Sequence, residues 1–188
     1  MNKIFRPYLT LALFGSLVAF TSCDDHDHEP HDHEEELITT VMLTMTPQDG
    51  GQAITATYRD LDGDGGQAPV YTPENVVLQA GKVYNTTITL MDESHHEEDL
   101  TAEIREKGSE HQFFFEPSPA TLLTVTTTDR DSNGRPIGLE NTIQTSSNPQ
   151  AGKLRVVLKH QPGGLKTDNS NISTGGTDAD VQFNITLQ

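Results

Sequence analysis

The segment Cys23 to Glu36 reads C-D-D-H-D-H-E-P-H-D-H-E-E-E and concentrates residue types able to bind a metal ion. It holds the only cysteine, four of the eight histidines, and no Lys or Arg. His26, His28, His31 and His33 alternate with acids, among them Asp27 and Asp32. Neutral imidazole is a common ligand for Zn²⁺ and also suits Cu²⁺ and Ni²⁺. Carboxylates complete such a shell or orient the imidazoles from outside it. The pairs His26/His28 and His31/His33 sit either side of Pro30, and a flexible backbone there could fold both around a single tetrahedral ion. A site of this kind adapts to its ion, so modest affinity and weak selectivity are expected. The competing reading is a charged spacer, but a spacer has no need of four histidines within eight residues.

A second concentration follows at Asp92 to Asp99, D-E-S-H-H-E-E-D, with His95 and His96 as candidate ligands. Adjacent side chains diverge on a regular element, so a shared ion requires a loop here. A helix starting at this point would favour the neutral, ligating imidazole. The alternative is an exposed acidic loop. His111, which begins H-Q-F-F-F, and His160, which shares parity with Leu154, Val156 and Leu158, read as hydrogen-bonded residues at the ends of apolar strand faces.

Two segments fit the start of a calcium loop, D-x-[DN]-x-[DN]-G. One is Asp60, Asp62 and Asp64, where Tyr71 stands in place of the closing acid. The other is Asp129, Asp131 and Asn133, with Glu140 at the twelfth position. Strand-like flanks and Pro136 argue against an EF-hand, and Asp, Asn and Gly are also what a turn demands. A Ca²⁺-stabilised domain is the expectation to test against a plain turn.

The elements that must carry these groups alternate with period two. Leu37, Thr39, Val41, Leu43 and Met45 share a face, then Ile54, Ala56 and Tyr58, predicting two antiparallel strands joined by a turn. Further strands are predicted at Val76 to Leu78, Lys82 to Met91, Phe113 to Phe115, Leu122 to Thr128, around Leu154 to Leu158, and from Val181 to Leu187. One helix is expected, capped by Ser94 with Glu97, or by Asp99 with Leu100 and Ile104 buried and Gly108 as its stop. About eight strands with Gly/Pro/Asp/Asn punctuation predict an all-β fold, an antiparallel β-sandwich. An immunoglobulin-like arrangement is the first choice, and a jelly roll or small barrel the next.

The formal net charge is −16, and loss of Lys3 and Arg6 with residues 1–22 takes it to −16 − 2 = −18. Such a charge repels phosphates and excludes nucleic acid as a partner. A lone cysteine forms no internal disulfide. No G-x-S-x-G, phosphate-cradling loop or H-E-x-x-H occurs, so no catalytic residue and no enzymatic activity are expected. Lys3 and Arg6 precede an apolar run from Leu9 to Phe20, too short to cross a bilayer as a helix. Thr21 and Ser22 then lead to Cys23. This pattern resembles the bacterial lipoprotein signal, in which the cysteine is lipidated and becomes the first residue of the mature chain. Asp24 and Asp25 directly after it are similar to the export signal of Bacteroidota surface lipoproteins.

The resemblance covers about 25 residues and implies a membrane partner held through lipidated Cys23, each buried methylene contributing about 0.8 kcal/mol. It implies the cell envelope, with the protein on the outer membrane, surface-exposed or periplasm-facing. The expected organisation is a signal peptide at 1–22, a His/Asp/Glu-rich tail at 23–36 and a sandwich domain at 37–188. The expected function is capture, buffering or delivery of Zn²⁺, Cu²⁺ or Ni²⁺, with an outer-membrane transporter as a candidate recipient. The alternative is a surface adhesion or structural module on an acidic spacer.

Overall fold

Alternating Thr, Val, Ile and Leu, half buried and half solvated, drive the chain into strands. The computed structural model describes residues 37–63 and 65–188. Eleven strands occur among them: β1 (Thr40–Pro47), β2 (Ile54–Arg59), β3 (Val70–Thr72), β4 (Val76–Leu78), β5 (Val83–Asp92), β6 (Glu98–Asp99), β7 (His111–Ser118), β8 (Leu123–Thr127), β9 (Glu140–Thr145), β10 (Gln150–His160) and β11 (Gly176–Leu187). One short helix, α1 (Thr101–Glu106), lies between β6 and β7.

The strands form two sheets. The first runs β3-β2-β1-β5-β9-β8, with β6 extending the pairing of β5. The second runs β4-β11-β10-β7. All pairs are antiparallel except β11 with β4. The fold is therefore an all-β sandwich, as the alternation predicts. Its seven-plus-four strands and its parallel pair differ from the four-plus-three antiparallel order of an immunoglobulin constant domain. The strand order supports a two-sheet sandwich without that finer assignment.

The inward faces make one core. Val41, Leu43 and Met45 of β1, Tyr84, Ile88 and Leu90 of β5, and Ile143 of β9 lie buried in one cluster with Leu154, Val156 and Leu158 of β10. Val181, Phe183, Ile185 and Leu187 of β11 complete it. Burying a side chain such as Phe183 contributes about 1.5–3 kcal/mol relative to leaving it exposed. The opposite face of β11 is polar: Arg155 reaches across to Asp180 at 2.6 Å and to Glu116 at 2.7 Å.

The helix starts beside the second of its two expected caps, with Leu100 rather than Asp99 at the N-cap position. The Asp99 carboxylate accepts the Thr101 N–H at 2.8 Å, Leu100 and Ile104 are buried, and Gly108 lies just beyond the end. Ser94 does not cap it. No helix among the described residues is long and apolar enough to cross a membrane.

Candidate metal centre

β7 and β10 pair so that His111 faces His160 directly, one step beyond Phe113 facing Leu158. Both imidazoles thus continue the inward, apolar faces of their strands. Their rings stack in parallel, with centroids 4.6 Å apart and planes 2° apart.

The third member comes from β11 through an irregularity. Ala179 pairs with Leu158, but Thr177 pairs with Lys159, so the register shifts and Asp178 is the extra residue of a β-bulge. In a regular strand the parity of Val181 and Phe183 would turn Asp178 outward, as it does Asp180. The bulge resets the alternation, and Thr177 meets Lys159 on the outer side, Nζ to Oγ1 at 2.6 Å. Asp178 is thereby aimed inward, with its Oδ2 3.6 Å from His111 Nε2. Both side chains are only 2% exposed. Bulges commonly re-aim a side chain in this way.

The tautomer of His111 is fixed by its surroundings. Its Nδ1 lies 3.1 Å from the Lys107 carbonyl oxygen. A carbonyl only accepts, so Nδ1 carries the proton and Nε2 turns towards Asp178. At 3.6 Å that contact is too long for a hydrogen bond. It is close to the roughly 3.4 Å between two ligands of a tetrahedral ion whose bonds are near 2.1 Å. A proton makes the contact an ion pair, and a metal ion makes it a coordination bond set. A histidine ligand with its other nitrogen on a backbone carbonyl is the usual supporting arrangement of metal sites.

Among the described residues, His111, His160 and Asp178 form the one group of three His, Asp or Glu side chains whose donor atoms all lie within 4.8 Å of one another. An imidazole binds an ion in its own ring plane, so the two parallel rings share one only if at least one of them turns out of the stack. The structure thus contains a His/Asp triad able to bind a metal.

A buried lysine holds the backbone of His111. Lys166, on the connection between β10 and β11, places all three ammonium donors: Gly108 O at 2.6 Å, His111 O at 2.8 Å and Asp131 Oδ2 at 2.9 Å. Neither charged side chain is more than 1% exposed. Burial pushes the Asp131 carboxyl up, but the Lys166 ammonium and the N–H groups of Arg135 and Asn133 together outweigh it and hold it below its ordinary value. Burial pushes Lys166 below its ordinary value, against the pull of Asp131. Gly138 lets the neighbouring loop pass close to β7: its φ is +99°, and a Cβ there would meet Phe113 Cβ at 2.6 Å.

The second calcium-like loop does other work. Asp129 accepts the N–H groups of Gly138 and Leu139 with its two carboxylate oxygens, at 2.8 and 3.0 Å. Asp131 is occupied by Lys166, and Asn133 donates its own N–H to Asp131 Oδ1 at 2.8 Å. Glu140 sits on β9 against Arg105 at 3.1 Å. These acids close a turn and are not gathered around an ion. In the first loop Asp60 accepts from Gly63 N at 3.1 Å and Asp62 from Gln67 N at 2.9 Å, again as turn closures, while Asp64 lies outside the described residues.

His95 and His96 are not brought together on a metal position. His95 Nδ1 is 3.0 Å from Ser94 Oγ, and His96 Nε2 is 3.4 Å from Glu98 with its side chain 78% exposed. Glu93 of the same loop is taken by Arg59 and Thr40. Cys23, His26, Asp27, His28, His31, Asp32 and His33 lie outside the described residues.

The residues that sequence reasoning passed over are thus His111 and His160, read as structural, and Asp178, not singled out at all. The available signal was the shared parity of His160 with the buried face of β10. The bulge left no mark in the alternation.

Asp178 also borders a cleft of about 520 Å³ at the end of the sandwich, where the segment entering β1 and the end of β2 face β11. Leu37, Ile38, Tyr58, Asp60, Thr177 and Val181 line it as well. The chain matches no protein-family model and has no significant match among curated proteins, so its reading rests on this geometry.

Proposed function

We propose that this chain is a non-enzymatic lipoprotein of the bacterial cell envelope, of the Bacteroidota type, anchored in the outer membrane through Cys23, that binds transition-metal ions. Zn²⁺ is the first choice, with Cu²⁺ and Ni²⁺ as competitors, for capture, buffering or delivery to a transporter. The observation that carries the reading is the His111–His160–Asp178 triad, His111 buried and the other two half-buried, with the His111 ring already oriented by a backbone carbonyl. Two imidazoles and one carboxylate suit Zn²⁺ better than Ca²⁺, which prefers six to eight oxygens. In this reading the tail histidines collect ions and the folded domain holds a second site.

Calorimetric titration of Zn²⁺ into the mature chain tests it. Comparison is made with a variant carrying His26→Asn, His28→Asn, His31→Asn and His33→Asn, and with that variant also carrying His160→Asn. Binding that survives loss of the tail histidines and disappears with His160→Asn supports the reading. No Zn²⁺, Cu²⁺ or Ni²⁺ binding by any form rejects it.

A second reading, an adhesion or structural module on an acidic spacer, draws on a different observation. Leu61 and Val70, 43% and 61% exposed, flank a cleft of about 470 Å³ along the edge strand β3. Loss of surface attachment on Val70→Asp, with metal binding intact, would favour it.

A further inference from the structure

We propose that Asn133 is a site of spontaneous covalent modification, in which its side-chain carboxamide closes a ring with the backbone nitrogen of Gly134, loses ammonia and is opened by water to aspartate and isoaspartate. The reaction needs no metal and is independent of the reading above.

Asn133–Gly134 is the single Asn–Gly step in the sequence. It lies in the turn between β8 and β9, and both residues are exposed. Among the described residues the Asn133 carboxamide has no hydrogen-bond partner, and only the backbone N–H is used, donating to Asp131 Oδ1 at 2.8 Å. Gly134 has a φ of +79°, and a Cβ there would meet nothing within 4 Å, so a ring has room to close on its nitrogen. The side chains of Asn75, Asn85, Asn141, Asn171 and Asn184 are held in hydrogen bonds, and Pro149 leaves Asn148 without a following N–H. Asn169 is exposed like Asn133, but Ser170 after it carries a Cβ that crowds the attack.

The steps balance without a redox partner. The Gly134 amide gives its proton to solvent base, its nitrogen bonds to Asn133 Cγ, and the side-chain amide leaves as ammonia. Water then opens the cyclic imide. Attack at Cγ leaves aspartate, and attack at the main-chain carbonyl leaves isoaspartate, with the main chain rerouted through Cγ. One contact opposes the first step: the Gly134 N–H donates to the Asp131 carbonyl oxygen at 2.9 Å. A turn hydrogen bond of ordinary net strength slows it by about tenfold at most.

The two products differ in their effect on Lys166. The N–H groups of Asn133 and Arg135 converge on Asp131 Oδ1, at 2.8 and 2.9 Å, while Asp131 Oδ2 holds the Lys166 ammonium. Arg135 Nη1 also donates to the Lys166 carbonyl oxygen at 2.8 Å. Isoaspartate lengthens the main chain between the two converging N–H groups and pulls them out of register. Aspartate adds a charge but keeps the chain length.

The test is incubation of the purified chain at neutral and alkaline pH, followed by peptide mapping with mass spectrometry and enzymatic methylation of isoaspartate. Asn133 is expected to convert at least about tenfold faster than Asn169, with ammonia released and a rate that rises with pH. Asn133→Gln is expected to remove the signal. Conversion no faster than at Asn169, or an intact Asn133 in the folded chain when the denatured chain converts, overturns the proposal. The isoaspartate form, separated by chromatography, is expected to unfold at lower denaturant than the Asn133→Asp variant. Equal midpoints overturn the link to Lys166 and leave the modification standing.

Discussion

Two pairs of histidines occupy opposite circumstances in this molecule. His95 and His96 stand in an exposed acidic loop, where carboxylates are abundant but nothing fixes the rings relative to one another. His111 and His160 have a single nearby carboxylate, yet strand pairing sets their separation, a carbonyl sets one tautomer, and Lys166 pins the backbone between α1 and β7. The loop has the richer composition, and the strand pair has the better geometry. An ion at the loop would have to draw two exposed side chains away from Ser94 and Glu98 and order them together before gaining anything. At the strand pair much of that ordering is part of folding, which is what preorganisation contributes to affinity.

The largest expected effect in a test of this contrast is on stability. Lys166→Met leaves Asp131 charged, buried and unpaired, and should cost about 3–5 kcal/mol in denaturant unfolding. Adding Asp131→Asn should recover much of that loss. An unchanged midpoint for Lys166→Met would mean the latch does not hold His111. The same pair sets an acid limit. Asp131 has its carboxyl held below its ordinary value, so its contribution is complete above about pH 3.9 and disappears as pH falls through the lowered value. Asp131→Asn should flatten the stability profile in that window.

Metal affinity comes next. Asp178→Asn should weaken Zn²⁺ binding by the folded domain more than the roughly 100-fold attached to loss of an outer-shell partner. His95→Asn with His96→Asn should leave it unaffected. The reverse pattern in calorimetry would exchange the roles of the two regions. The smallest effect is the stability of that same exposed double variant, which should stay within about 0.5 kcal/mol of the parent by thermal melting.

The fold was legible because most of its strands alternate cleanly. Val181 to Leu187 and Leu154 to Leu158 carry their burial in the sequence, and the structure buries the same residues. β3, β6 and β9 were not predicted as strands: β3 and β6 are too short to show a period by themselves, and β9 places polar Asn141 and Thr145 on its buried face beside Ile143, so its alternation is not one of apolar against polar residues. The site was legible only in part. Histidines drew attention where they clustered with acids, and clustering along the chain is a weak guide to clustering in space. His111 and His160 are 49 positions apart and meet through sheet pairing alone. Asp178 was hidden more deeply, because extending the even–odd rule of β11 back from Val181 puts it on the wrong side. The calcium-like loops were open to two readings for a related reason: the acids that shape a turn and the acids that hold Ca²⁺ are the same residue types, and the hydrogen bonds of Asp60, Asp62, Asp129 and Asp131 fit the turn.

The bulge at Asp178 makes the centre dependent on chain length rather than on residue identity. Removing one residue between Gly176 and Ala179 would restore regular pairing and carry the carboxylate out to solvent, while Val181 to Leu187 kept their register with β10. A one-codon deletion could therefore erase the chemistry and spare the scaffold, and a one-codon insertion could install it. In such a strand a new function can arise without first passing through a damaged core.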